Sequence, residues 1–299
     1  MSTPLSEKIV LITGATSGIG YEAAKSIAAM RDPGGTVGPR VVVVGRSVEK
    51  TARCLDEIRA AGGEGARVES LLCDFESQAS IRALAAAFRE RYDRIDILLN
   101  NAGTVYDKRK LTVDGYEATF AVNHLGYFLL TNLLLDLVER AGKDGGARIV
   151  NVSSRGHRQG TMDFADLHFE RGYQIMRAYC RSKLGNVLFT RELSRRLRAS
   201  DPACKVTVTC LHPGGVATGI WDHAPGWAQP ILWLPKKLFF ISQAEGGETL
   251  VHAATDPSLE GVTAVYFEKK TVSKPSALAL DDALAAKLWD VSATLTGLS

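Results

Sequence analysis

The sequence predicts a doubly wound α/β fold, a seven-stranded and mostly parallel sheet with helices on both faces. Three observations carry this. Short β-branched runs recur at helix-sized intervals. The runs are continuously apolar, as strands covered on both faces require. The first six alternate with helix-like segments, the pattern that crossover helices produce. Residues 1–299 read as one domain, because no linker or repeat divides them.

The first strand is Ile9–Ile12, and the turn Thr13-Gly14-Ala15-Thr16-Ser17-Gly18-Ile19-Gly20 follows it with GxxxGxG spacing. Glycines at such a strand-to-helix turn let the backbone approach a pyrophosphate, whose charge a helix N-terminus favours. The letters alone would mark only a turn; their place after a strand makes them a nucleotide signal. The Gly- and Pro-rich stretch 31–39 reads as a surface loop insertion. The second strand, Val41–Val44, ends in Gly45-Arg46-Ser47, where an acidic residue would receive the ribose hydroxyl of NAD(H). Arg46 instead suits a 2′-phosphate, so NADP(H) is preferred, with NAD(H) as the alternative. The competing reading makes Arg46 an exposed residue at the start of the helix near Ser47. After the third strand, Val68–Cys73, stands Asp74, either an acceptor for the adenine amine or a helix cap.

The fourth strand, Ile95–Leu99, closes on Asn100-Asn101-Ala102-Gly103, where Gly103 brings backbone close to a cofactor and Ala102 leaves room beside it. The fifth, Arg148–Val152, closes on Ser153-Ser154; the sixth, Val206–Leu211, on His212-Pro213-Gly214; the seventh is Val262–Phe267. Ligands bind at the carboxyl ends of strands in this architecture, and all these turns are there. Tyr179 and Lys183 are one helical turn apart, which sets a phenol beside an ammonium. A free tyrosine titrates near ~10, and a neighbouring cation favours the phenolate and eases proton donation. By itself the pair is as consistent with a solvated helix face.

Taken together and in this order, the glycine turn, Asn100-Asn101-Ala102-Gly103, the serine pair and Tyr179…Lys183 resemble the short-chain dehydrogenase/reductase family over nearly the full length. The resemblance implies a Rossmann-type fold and a catalytic set of Asn123, Ser154, Tyr179 and Lys183. Tyr179 would donate the proton, Lys183 would tune it and hold the nicotinamide ribose, Ser154 would bind the carbonyl, and Asn123 would support a water relay. Ser154 rather than Ser153 follows from family alignment, since neighbouring strand residues face opposite ways. Cofactor contacts are implied for Thr13, Gly14, Ser17, Gly18, Ile19 and Gly20, for Asn101, Ala102 and Gly103, and for Pro213, Gly214, Val216 and Thr218. The long, aromatic and charged spacer between Ser154 and Tyr179 looks like the retinol dehydrogenase and WW-domain-containing branch. Self-association through the helices bearing Asn123 and Tyr179 is a further family expectation.

Residues 220–242 hold Trp221, Trp227, Trp233, Phe239 and Phe240 among prolines, where the family places a substrate lid. An aromatic wall suits a lipophilic carbonyl or alcohol substrate, and a peripheral contact with a membrane or partner is the other reading. A formal charge of +3 is too small for a nucleic-acid surface. Five cysteines without CxxC spacing indicate neither disulfide framework nor zinc site, and six histidines without HxxxH or HExxH spacing indicate no metal. No apolar run reaches the ~18 residues of a membrane span, so a cytoplasmic protein is expected. The leading function is an oxidoreductase interconverting an apolar carbonyl and its alcohol. A non-catalytic NADP-binding regulator and a carbon–carbon double-bond reductase stand as alternatives on the same fold.

Overall fold

A computed structural model describes residues 3–215 and 242–298. Its strands are β1 (Ile9–Thr13), β2 (Arg40–Gly45), β3 (Arg67–Leu72), β4 (Ile97–Asn100), β5 (Ala147–Val152), β6 (Val206–His212), β7 (Tyr266–Glu268) and β8 (Thr271–Ser273). They form one sheet in the order β3-β2-β1-β4-β5-β6-β7-β8. The first seven are parallel, and β8 returns antiparallel to β7. The chain order reverses between β1 and β4, which opens a crevice at the carboxyl ends of these two strands.

Both faces of the sheet are covered at its centre, which is why β1, β2 and β4 are mostly apolar, whereas the outer strands β3 and β8 carry polar and exposed residues. Leu11, Val42, Val44 and Leu98 pack on one side with α3 (Gln78–Arg89), α5 (Gly126–Leu133), α6 (Leu135–Gly145) and α7 (Ile175–Ser200). Val10, Ile12, Val41 and Val43 pack on the other with α1 (Gly18–Ala28), α2 (Val48–Gly62) and α8 (Gln243–Thr255). Before α5 stand a single turn, α4 (Ala118–Phe120), and a π-helical turn, Ala121–Leu125. The last helix, α9 (Asp282–Thr296), lies over α5 and α7, with Trp289 edge-on to Phe128 and stacked on Phe189. Among the described residues no single helix is long and apolar enough to cross a membrane. The apolar run through α4 and α5 is instead buried in the core.

The predicted fold class holds, with eight strands in place of seven. The extra strand follows a two-residue turn at Lys269 and Lys270, whose φ values are 48° and 64°. Two left-handed residues make the hairpin turn that matches strand twist, and such turns normally carry Asn or Gly. Lysines there gave no signal. The seventh strand is also shorter than Val262–Phe267, because Gly261 and Ala264 turn left-handed at φ 75° and 58°. The stretch 31–39 is a loop, as expected, and the Arg31 guanidinium knits it to the carbonyls of Ala28, Thr36, Gly62 and Glu64.

Candidate active site

At the end of β1 the Thr13 hydroxyl accepts from the Asn101 and Ala102 backbone N–H groups at 2.9 and 3.0 Å, and donates to the Leu99 carbonyl at 3.3 Å. The Asn101 amide in turn donates to the carbonyls of Thr13 and Gly14 at 2.9 and 3.0 Å. These bonds lock the glycine turn against the turn after β4. Gly14 is left-handed at φ 65°, and a Cβ there would fall 2.7 Å from the Ala102 Cα. A Cβ on Gly20 would fall 2.2 Å from the Asn101 amide nitrogen and 2.6 Å from the Gly14 carbonyl. Glycine is therefore a steric requirement at both positions. Gly18 is also left-handed, at φ 63°, and opens α1, on which Ile19 is buried. Ser17 is the N-cap of α1, yet its side chain makes no capping bond and is exposed. An anion-ready helix end with an uncommitted hydroxyl fits the pyrophosphate of a dinucleotide.

Arg46, after β2, is exposed, and its Nη1 lies 3.4 Å from the Glu76 carboxylate. It does not cap α2; Ser47 does, accepting from the Lys50 N–H. Asp74 is likewise no helix cap, because Ser77 caps α3. The Asp74 carboxylate accepts from the Glu76 N–H at 3.0 Å, while its own N–H donates to Ser80 Oγ at 2.9 Å.

Asn123 and Lys183 meet beside Gly103, where a Cβ would sit 3.3 Å from Asn123 Oδ1 and 3.8 Å from Lys183 Nζ. Asn123 belongs to the π-helical turn, a distortion that recurs at functional sites. Its Oδ1 accepts from the Thr104 N–H at 2.8 Å, and its Nδ2 donates to the Thr104 carbonyl and to Ser182 Oγ, each at 3.0 Å. Both Nδ2 protons are thus engaged, while Oδ1 has a second lone pair beyond the one given to Thr104. Lys183 Nζ donates to the Val152 carbonyl at 3.0 Å, which ties α7 to the end of β5. The Ser153 hydroxyl is spent on the Lys183 carbonyl at 2.8 Å. The Ser154 hydroxyl caps the following turn at the Gly156 N–H, 3.1 Å away. A Cβ on Gly156 would touch both Ser154 Oγ, at 3.5 Å, and the Tyr179 ring, at 3.3 Å. Pro213 and Gly214 follow β6, which pairs with β5 up to Leu211 and Val152. Val216, Thr218 and the lid segment up to residue 241 lie outside the described residues.

Burial governs the charges. It pushes the Tyr179 phenol up to about 12, against the pull of the Ser154 hydroxyl, and pushes the Lys183 ammonium down to about 7. Lys183 Nζ lies 5.7 Å from the Tyr179 ring centroid. Burial is thus the largest influence on the phenol, and the Ser154 hydroxyl is the group that opposes it.

Two supporting side chains escape sequence reading. His157 is fully buried; its Nδ1 is 2.7 Å from the Ser154 carbonyl and its Nε2 accepts from the Ser276 N–H at 3.1 Å. A carbonyl only accepts and an amide only donates, so the ring is neutral with its proton on Nδ1. Burial also lowers its pKa. Arg181 is 1% exposed, donates to the carbonyls of Thr161, Asp166 and Leu167, and lies 3.8 Å from the Phe169 ring centroid. It holds the long spacer against α7. Polar side chains buried in this way leave no pattern in a sequence, although Arg181 stands between Tyr179 and Lys183. Cys180, by contrast, is packed as its position on the helix suggests, with Val105 and Tyr179.

The short chain dehydrogenase family model matches residues 8–228. Retinol dehydrogenase 14 of Mus musculus is 38% identical over 302 residues, covering 97% of this chain and 86% of its own. Polyprenol dehydrogenase of Mus musculus is 38% identical over 300 residues, covering 98% of this chain and 85% of its own. Among solved structures, an actinorhodin polyketide ketoreductase with NADPH is similar at a TM-score of 0.65 and 28% identity, covering 89% of this chain and 97% of that one. With a parallel sheet whose carboxyl ends gather the glycine turn, Asn123, Ser154, Tyr179 and Lys183, the chain belongs to the short-chain dehydrogenase family, on its retinol dehydrogenase branch, and is an oxidoreductase.

Proposed function

We propose that this protein is an NADP(H)-dependent oxidoreductase that interconverts a lipophilic aldehyde or ketone and its alcohol. The observation that supports the proposal is that Asn123 and Lys183 meet beside Gly103 while the Tyr179 ring and the Ser154 hydroxyl meet beside Gly156, with Lys183 Nζ 5.7 Å from the Tyr179 ring centroid. Gly14, Gly20 and Asn101 would shape the pyrophosphate cradle, and Arg46 would receive the 2′-phosphate of the adenosine ribose. A bound reduced nicotinamide supplies the hydride. Tyr179 keeps its proton through neutral pH, since its folded pKa is about 12. It can therefore give that proton to the substrate oxygen, while Ser154 donates a hydrogen bond to the same atom. Lys183 has protons to offer a ribose hydroxyl besides the one given to Val152. His157 and Arg181 fix the Ser154 loop and the spacer that flank the reacting oxygen.

Apolar substrates are supported by relatives named for retinol and polyprenol and by the aromatic sequence of 220–242. A reductive direction follows from Arg46, because cells keep NADPH reduced. The test is NADPH oxidation against retinoid, aliphatic, steroid and polyketide carbonyls, with the products identified. Alcohol from an apolar carbonyl supports the proposal. A saturated carbonyl points to double-bond reduction, and no turnover of any carbonyl sinks it.

A further inference from the structure

The nucleotide end carries a charge cluster of which the proposed function uses only Arg46. Glu76 sits in the turn between β3 and α3, and its side chain is 13% exposed. The Tyr106 hydroxyl donates to its Oε1 and Lys110 Nζ donates to its Oε2, at 2.5 Å. Arg46 Nη1 approaches the same Oε1 at 3.4 Å from a side chain that is 69% exposed. Three loops meet here, because Arg46 follows β2, Glu76 follows β3, and Tyr106 and Lys110 follow β4. The Tyr106 carbonyl, in turn, accepts from the Tyr173 hydroxyl at 2.7 Å, which joins the cluster to the spacer.

The three ties are unequal. Tyr106 and Lys110 hold the carboxylate closely, whereas Arg46 is at the long end of a hydrogen bond and free to reorient in water. Burial raises the Glu76 carboxyl, but the bonds from Lys110 and Tyr106 outweigh it and keep the group below its ordinary pKa, so it is ionised at neutral pH. An anion that takes Arg46 must draw the guanidinium from this carboxylate and sit near a like charge. A ribose with a free hydroxyl meets neither cost.

We propose that Glu76 is a specificity-determining residue that competes with the cofactor 2′-phosphate for Arg46 and so reduces the preference for NADP(H) over NAD(H). The proposal rests on the reading of Arg46 as the 2′-phosphate ligand. Its tie to Tyr106 and Lys110 gives Glu76 a structural reason to stay, so the competition is a fixed property of the pocket.

The test is equilibrium binding of NADPH and NADH, followed by protein fluorescence or calorimetry, to wild type, Glu76→Gln, Arg46→Ala and the double variant. Glutamine keeps the shape and an acceptor for Tyr106 while removing the charge. The expected result is NADPH binding tighter by up to about fivefold in Glu76→Gln, the scale of an exposed ion pair, with NADH unchanged. The gain should shrink at high salt and vanish when Arg46 is also alanine. If Arg46→Ala weakens NADPH but Glu76→Gln leaves it unchanged, weakens it, or shifts both cofactors equally, the competition is refuted and the Arg46 reading survives. If Arg46→Ala leaves NADPH binding intact, the Arg46 reading itself fails and the proposal fails with it.

Discussion

Burial lowers the Lys183 ammonium from its ordinary 10.5 to about 7 in the folded protein. Between those values the folded protein binds fewer protons than the unfolded chain, so stability rises with pH across that window. Below it the cost of burying the charge is fully present. Replacing Lys183 with Met should therefore stabilise the cofactor-free protein most below pH ~7, with the gain shrinking toward pH ~10.5. Urea melts of both proteins at several pH values measure this, and a difference that does not vary with pH would contradict it. At Gly20 the constraint is steric. An alanine Cβ would lie 2.2 Å from the Asn101 amide nitrogen and 2.6 Å from the Gly14 carbonyl, so Gly20→Ala should destabilise by about 1 to 3 kcal/mol and weaken cofactor binding. Thermal melts with and without NADPH separate the two effects; wild-type values in both would show that the turn yields.

The elements that the sequence announced are those whose backbone rules out most residues. Gly14 and Gly18, both left-handed, and Gly20, pressed against Asn101, mark the nucleotide turn in letters. The Tyr179 and Lys183 spacing likewise shows because one helical turn must carry both. The hairpin at Lys269 and Lys270 did not show, since tertiary pairing with β7 holds a turn that its residues do not favour. The role of α9 was equally hidden. Its Trp289 packs on Phe128 and Phe189 under the Arg196 guanidinium, and Ser292 Oγ meets His124 Nε2 at 2.9 Å inside the core. The helix thus packs against α5 and α7. Trp289→Ala should cost about 2 to 4 kcal/mol and expose two phenylalanines. The variant should unfold at lower denaturant and associate in sedimentation experiments; a stable, unchanged variant would mean that α9 contributes little to this packing.

Across the whole molecule, topology divides the labour. β1 to β4 deliver the nucleotide residues to one crevice, and β4, β5 and α7 deliver Gly103, the Ser154 loop, Tyr179 and Lys183 to its continuation. The glycine turn and the turn after β4 are bonded through Thr13 and Asn101, so the two halves share one rigid floor. The sequence offered candidate members of this site but not its electrostatics, because desolvation depends on packing that no motif records. Burial leaves Tyr179 protonated and makes Lys183 a weak cation. Proton delivery by Tyr179 is the claim on which the function rests. Turnover and NADPH affinity of Tyr179→Phe test it most directly, with whichever carbonyl the wild type accepts. Phenylalanine keeps the ring and deletes only the hydroxyl, so the affinity should hold while turnover falls by roughly 10²-fold to 10⁴-fold. Wild-type turnover in that variant would contradict the mechanism.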